Sequence, residues 1–237
     1  MTKKVKALFI SDVHLGSRGS NADDLLAVLE KYNPQTLYIV GDFIDNWLLS
    51  KRYYWPQSHA NIISKVLSLA SQGCNVVYIT GNHDEFLRCY KTDLTDGVLI
   101  TDEIVVDGHL IIHGDLFDRI VISSPLVSHI GSLAADAITI LNKLINKFKR
   151  EKRANRSRII NWMKIKGLRA YLFISGFEHN IVKYAKSKGC HTVVCGHIHI
   201  LEDKRVNEIR YINCGDWVDN NSYLVWDKDG IKVNTQI

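Results

Sequence analysis

The stretch Thr36–Asp45, TLYIVGDFID, decides the reading of the fold. A run of apolar and β-branched residues stops abruptly at Gly41-Asp42. A strand that is apolar on both faces is one covered on both faces. The glycine lets the chain turn sharply and leaves the carboxylates of Asp42 and Asp45 just beyond the strand. The same grammar recurs four times. Val5–Ile10 (VKALFI) runs into Ser11-Asp12-Val13-His14, and Asn75–Thr80 (NVVYIT) into Gly81-Asn82-His83-Asp84. Leu110–Ile112 (LII) runs into His113-Gly114-Asp115, and His191–Cys195 (HTVVC) into Gly196-His197-Ile198-His199. In an open α/β sheet, ligands collect at the carboxyl ends of the strands. Five polar clusters far apart in sequence are therefore expected on one edge.

Helical patterns separate several of these runs. Asn21–Tyr32 places Leu25, Leu26, Val28 and Leu29 at helical spacing, and Ser58–Gln72 does so with Ile62, Ile63, Val66, Leu67 and Leu69. Three more strand-like runs close the chain, at Ile209–Asn213, Ser222–Trp226 and Ile231–Ile237. The predicted class is α/β, with two sheets in a layered sandwich. Residues 118–189 break the pattern. Leu126, Ile130, Leu133, Ala134, Ala137, Ile138, Leu141, Leu144, Ile145 and Phe148 fall three and four apart, as on an amphipathic helix. A basic stretch, Lys149–Arg158, and helical patterns at Ile159–Lys166 and Phe173–Lys188 follow. We read 118–189 as a helical cap inserted in one domain that spans 1–237, because only three prolines interrupt the chain and no linker is evident.

Composition narrows the function classes. The 237 residues are 46% hydrophobic and 23% charged, which is enough apolar material for a core and too much for a disordered chain. The five cysteines, at 74, 89, 190, 195 and 214, form no CxxC pair. A disulfide framework and a zinc ribbon are both disfavoured, and a reducing cytoplasm is the default. Met1–Ile10 has no apolar stretch of signal-peptide length, and no run of about 18 apolar residues suggests a membrane span. The net charge of +5 is unevenly placed, since Lys143–Arg169 holds eleven Lys/Arg against Glu151 alone. That asymmetry calls for an anionic partner of this segment, or else for a solvated helix face.

The five clusters offer carboxylate, carboxamide and imidazole donors. This mixture suits Mn²⁺, Fe²⁺, Zn²⁺ or Co²⁺ better than Mg²⁺, which favours oxygen. The donors outnumber what one ion needs, and a shared carboxylate could bridge two. Two ions about 3.5–4 Å apart clamp an in-line displacement at phosphorus. Chemistry alone thus points to a two-metal phosphoester hydrolase. D-x-H or H-x-H alone is a common accident; five such motifs in order, each at a strand end, are not. His59, His109, His129, His179 and His191 lie outside the motifs and are assigned surface or structural roles.

Taken in this order, Asp12 to His199 resembles the calcineurin-like metallophosphoesterases, with their D-x-H, G-D-x-x-D, G-N-H-[DE], H and G-H-x-H series. The size, the helical insertion and the sequences HGDLFD and GDWVD are most similar to the UDP-2,3-diacylglucosamine hydrolase branch. The resemblance implies the layered β-sandwich of that family with a helical cap. It implies that Asp12, His14, Asp42 and His199 hold one divalent ion, most simply Mn²⁺, and that Asp42, Asn82, His113 and His197 hold a second. His83 would donate a proton to the leaving group or stabilise phosphoryl charge, oriented by Asp84. One departure stands out: established lipid A hydrolases read GNRD where this chain reads GNHD.

The implied activity is cleavage of the pyrophosphate of UDP-2,3-diacylglucosamine to UMP and 2,3-diacylglucosamine 1-phosphate, in lipid A biosynthesis. The partner is then a glycolipid nucleotide. The basic amphipathic cap could rest on the anionic inner face of the cell membrane, as a peripheral element. The alternative is a phosphodiesterase or phosphatase acting on a nucleotide, nucleic acid or phosphoprotein. Between Lys143 and Arg169 only Phe148 and Trp162 are aromatic, which is poor material for base stacking.

Overall fold

The structure, a computed structural model, describes residues 2–90, 97–118 and 176–236. The strands are β1 (Lys3–Ile10), β2 (Tyr32–Val40), β3 (Asn75–Ile79), β4 (Val98–Thr101), β5 (Glu103–Val106), β6 (His109–Ile112), β7 (Thr192–Cys195), β8 (Leu201–Val206), β9 (Ile209–Cys214), β10 (Ser222–Asp227) and β11 (Gly230–Thr235). The helices are α1 (Ala22–Lys31), α2 (Asn46–Lys51), α3 (Gln57–Ser71) and α4 (Phe177–Ser187). The chain divides into two compact units, residues 1–115 with 181–237, and residues 116–180. Both sheets belong to the first.

One sheet has the order β11-β10-β1-β2-β3-β4 and the other β5-β6-β7-β9-β8. Period-2 alternation explains how β1 serves two cores at once. Leu8 and Ile10 pack with Leu25, Leu29 and Ile62 of the helical layer. Ala7 and Phe9 point the other way, toward Ile111, Val194 and Ile212 of the second sheet. Phe9 stacks on Tyr38 with ring centroids 4.7 Å apart. Truncating a buried phenylalanine of this kind costs roughly 3–5 kcal/mol. α1 carries Asp23 and Asp24 in its first turn and Lys31 in its last, complementing the helix dipole.

Register aligns the strand ends. In the parallel ladder Ile10 pairs with Ile39, and Val40 with Ile79, so three of the motif loops leave the first sheet at one level. In the second sheet Ile111 pairs with Val194, and Cys195 with Asn213, which brings two more loops and the turn after β9 to one edge.

The predicted helices agree with α1 and α3 to within a residue, although Tyr32 opens β2 instead of closing α1. The strands β4, β5 and β8 and the short α2 were not anticipated. α4 covers the described part of the pattern at 173–188. The patterns at 126–148 and 159–166, most of the expected cap, lie outside the described residues. No helix among the described residues is long and apolar enough to cross a membrane.

Candidate active site

The site residues sit on unusual backbone. Asp12, His14, Asp42, His197 and His199 all have positive φ, between 50° and 71°. Non-glycine residues adopt this left-handed conformation rarely, and each instance costs on the order of 1–3 kcal/mol. Interlaced hydrogen bonds hold it in place. The N–H of Asp12 donates to Gly41 O (3.1 Å), that of His14 to Asp42 O (2.9 Å), that of Leu15 to Phe43 O (2.8 Å) and that of Gly196 to His113 O (3.0 Å). Close approach also explains two glycines. A Cβ on Gly41 would collide with the His113 ring, and one on Gly196 with Ser11 and Asp12.

Among the described residues three groups of donor atoms emerge, each with all its atoms within 4.8 Å of one another: Asp12, His14 and His199; Asp42, His113 and His197; His14, Asp45 and His83. The Nε2 atoms of His14 and His199 lie 3.3 Å apart, and His199 Nε2 is 3.2 Å from Asp12 Oδ1. The Oδ2 of Asp42 lies 3.4 Å from His113 Nε2 and 4.0 Å from His14 Nε2, so this carboxylate stands between the first two groups. Its other oxygen accepts the N–H of His83 at 2.8 Å.

Three of the imidazoles are oriented by their second nitrogen. His113 Nδ1 faces Val40 O at 2.9 Å, His14 Nδ1 faces Asp45 Oδ2 at 3.1 Å, and His199 Nδ1 lies 3.6 Å from Asp216 Oδ2. In each case Nε2 is the nitrogen left for a ligand. Buried side-chain atoms with no hydrogen bond in the structure include Asp12 Oδ1, Asn82 Oδ1 and His113 Nε2. Orphaned buried polar atoms are costly, and these three fall on predicted metal-binding residues. Hard oxygens and neutral imidazoles together fit divalent transition-metal ions.

The charges are strongly coupled. Burial pushes the Asp42 carboxyl up, but His113, His83 and His14 outweigh it and hold the group well below the usual carboxylate range. Burial opposes the charge on His113, and Asp42 overcomes it, so this imidazole stays protonated far above its ordinary range. For His199, burial is likewise overcome by Asp12 and then Asp216, and the pKa rises to about 9.

His83 differs from the expectation. Asp84 was expected to orient it, but the Asp84 carboxylate accepts from Phe43 N–H (2.8 Å), the Tyr78 hydroxyl (2.6 Å) and Gly81 N–H (2.6 Å). A tight turn sends adjacent side chains in different directions, and Asp84 is spent on bracing loops. The carboxylate beside His83 is Asp45, with Oδ1 3.0 Å from Nδ1. Asp45 also accepts the Leu48 N–H at 2.9 Å as N-cap of α2. Trp47, on that helix, lies over the His83 ring with centroids 4.2 Å apart. The sequence reading takes Asp45 as a support of the metal ligands, which its contact with His14 fits, but it does not reveal the Asp45–His83 contact or the roles of Trp47 and Asp216. Asp216 had a signal, since Gly215-Asp216 follows β9 as Gly41-Asp42 follows β2. Of the remaining histidines, His59 is buried and accepts the Gly16 N–H at 3.0 Å, while His109 and His191 meet edge to face.

A two-sheet sandwich with paired carboxylate–imidazole groups at one edge defines a metal-dependent phosphoester hydrolase. Residues 5–201 match the family described as calcineurin-like phosphoesterase, and the chain belongs to that family. A curated relative from Porphyromonas gingivalis, named UDP-2,3-diacylglucosamine hydrolase, is 27% identical over 94% of this chain and 94% of its own length. A protein of the same name from Hahella chejuensis is 23% identical over 95% of each chain. Among solved structures, an archaeal phosphodiesterase aligns over 96% of this chain and 98% of its own at 14% identity and a TM-score of 0.44.

Proposed function

We propose that the chain hydrolyses the pyrophosphate of UDP-2,3-diacylglucosamine. Water adds across the phosphoanhydride, one P–O bond breaks, and UMP and 2,3-diacylglucosamine 1-phosphate leave. The observation that carries the choice of substrate is the near full-length similarity to curated proteins bearing that name. Two divalent ions, Mn²⁺ in the first instance, supply Lewis-acid activation of water and charge neutralisation at phosphorus when bound. Asp12, His14, Asp42 and His199 would hold one, and Asp42, Asn82, His113 and His197 the other.

The chain's own residues do the rest. His83, with the Asp45 carboxylate 3.0 Å from its Nδ1, presents Nε2 to the oxygen that departs and supplies its proton. Burial opposes the charge on His83, while the neighbouring Asp45 and Asp42 carboxylates favour it, so its pKa lies above the ordinary value. That suits a general acid. Asp216 orients His199. Residues 118–189 form the helical cap of this reading, with an apolar stripe for the acyl chains. The basic run Lys143–Arg169 rests on the anionic inner face of the membrane.

Purified protein with Mn²⁺ and synthetic UDP-2,3-diacylglucosamine should release UMP and the lipid phosphate in equal amounts by mass spectrometry. Turnover of simple phosphodiesters without turnover of this substrate would favour the broader phosphodiesterase reading.

A further inference from the structure

Arg88 lies in the 3-10 turn Glu85–Tyr90 that follows the Gly81–Asp84 loop. One guanidinium nitrogen donates to the Asp115 carboxylate at 2.7 Å and reaches the Gly81 carbonyl at 3.4 Å. Its Nε faces the Thr80 hydroxyl at 3.4 Å, and that hydroxyl donates to Asp102 at 2.6 Å. The Asp102 carboxylate is itself 3.7 Å from Arg88 Nε. The Asp115 side chain is only 11% exposed, so this pair is not an ordinary surface ion pair.

The placement matters because of what flanks each anchor. Asp115 stands two positions after His113, and Gly81 one position before Asn82. Gly114, between His113 and Asp115, has φ of 113°, a conformation with no side chain to define it. Gly114 thus offers no side-chain contact of its own to hold the path from His113 to Asp115. One planar, five-donor group spans both loops and fixes it relative to Asn82.

We propose that Arg88 is a positioning residue: by gripping Asp115 and Gly81 together it sets the separation of His113 and Asn82, and with it the affinity of the metal position those two residues share. The inference rests on the two-position reading of the site. Loss of an outer partner of metal ligands typically costs 10–100-fold in affinity. The cost here should fall on one position only, because the backbone bonds that fix Asp12 and His14 run to Gly41 and Asp42 and do not involve Arg88.

The test is Mn²⁺ titration of the metal-free protein, followed by calorimetry and by electron paramagnetic resonance of free Mn²⁺. Wild type should show two positions. Arg88→Ala should weaken one of them by about 10–100-fold and leave the other within twofold. Asp115→Asn should reproduce this. Arg88→Lys should fall between, since an ammonium can pair with Asp115 but cannot fork to Gly81 and Thr80. Adding Asn82→Ala to Arg88→Ala should weaken only that same position. If Arg88→Ala keeps both affinities, or lowers both in step with thermal stability, Arg88 is a structural ion pair and the inference is overturned. If Arg88→Ala does not fold, Arg88→Lys and Asp115→Asn decide by the same criterion. A wild type that binds a single ion would instead refute the two-position reading itself.

Discussion

Replacing Asp45 by Asn keeps the side chain's size and removes one negative charge from between two imidazoles. The Asp45 oxygens lie 3.0 Å from His83 Nδ1 and 3.1 Å from His14 Nδ1, and Oδ1 also caps α2 through the Leu48 N–H. Asn caps a helix about as well as Asp, so α2 should stay in place. Asp45→Ala would in addition lose about 1 kcal/mol of cap stabilisation. Asn leaves an oxygen at only one of the two carboxylate positions, so at most one of the two imidazoles keeps an oxygen beside its Nδ1. At His14 the loss should cost roughly 10–100-fold in metal affinity, which added Mn²⁺ can overcome. At His83 it cannot be overcome that way. General acid catalysis contributes about 10²–10⁴-fold, so kcat at saturating Mn²⁺ should fall by roughly 10–10³-fold, bounded by the effect of His83→Ala. The sign of the pH effect follows from the same contact. A general acid works below its pKa and fails as pH rises through it. Asp45 helps to hold the His83 pKa above its ordinary value, so its removal should move the alkaline limb of kcat/KM to lower pH. Both effects should shrink for a p-nitrophenyl leaving group, which needs no proton. Wild-type kcat and an unmoved limb in Asp45→Asn under saturating Mn²⁺ would refute the assignment of Asp45 to His83.

Asp42→Ala should lower metal content at both positions and cost more activity than Asp45→Ala, because the Asp42 carboxylate faces His113 and His14 together; elemental analysis beside the rate distinguishes the two variants. Gly41→Ala should cost roughly 2–4 kcal/mol in denaturant unfolding, since the new Cβ meets the His113 ring and φ is +79°. Metal uptake should release protons at pH 7, because His199, with a pKa of about 9, and His113, protonated well above its ordinary range, must both become neutral to bind. Affinity should therefore climb as pH rises toward about 9. Calorimetry in buffers of different ionisation enthalpy measures the release, and its absence would count against these two residues as ligands.

Most of the fold that the sequence revealed is buried, with β11, an edge strand anticipated at Ile231–Ile237, as an exception. β1, β2 and β3 stand inside their sheet and read as apolar runs. The strands that escaped notice, β4, β5 and β8, are all at sheet edges. β8 reads LEDKRV, and its outward charges suit an edge that must not pair further, but they erase the pattern by which a strand is recognised. The site was legible for a related reason: each donor motif follows an apolar run, four of the five with a glycine beside the donor, and that grammar is local. The pairings between donors are not local. Asp84 is next to His83 in sequence and turned away from it, whereas Asp45 reaches His83 only because α2 starts where it does. Nothing within the Gly81–Asp84 tetrapeptide encodes that meeting.

Five strained residues in one site are a large load for a domain whose net stability is typically about 5–15 kcal/mol. Such a load persists only where the surroundings over-determine it. Asp12 shows how. Its N–H donates to Gly41 O, its carbonyl accepts the Trp217 N–H at 3.1 Å, and its Oδ2 accepts both the Ser11 hydroxyl and the His197 N–H. Every polar group of the residue is committed except Oδ1, which is buried without a hydrogen bond and lies toward His199. The protein thus spends backbone strain to leave one oxygen unsatisfied in a chosen direction. The same holds for His113, whose Nδ1 is fixed by Val40 O while Nε2 is left without a hydrogen bond. The chain's own hydrogen bonds to Asp12 and His113 thus define the directions in which these two donor atoms are offered.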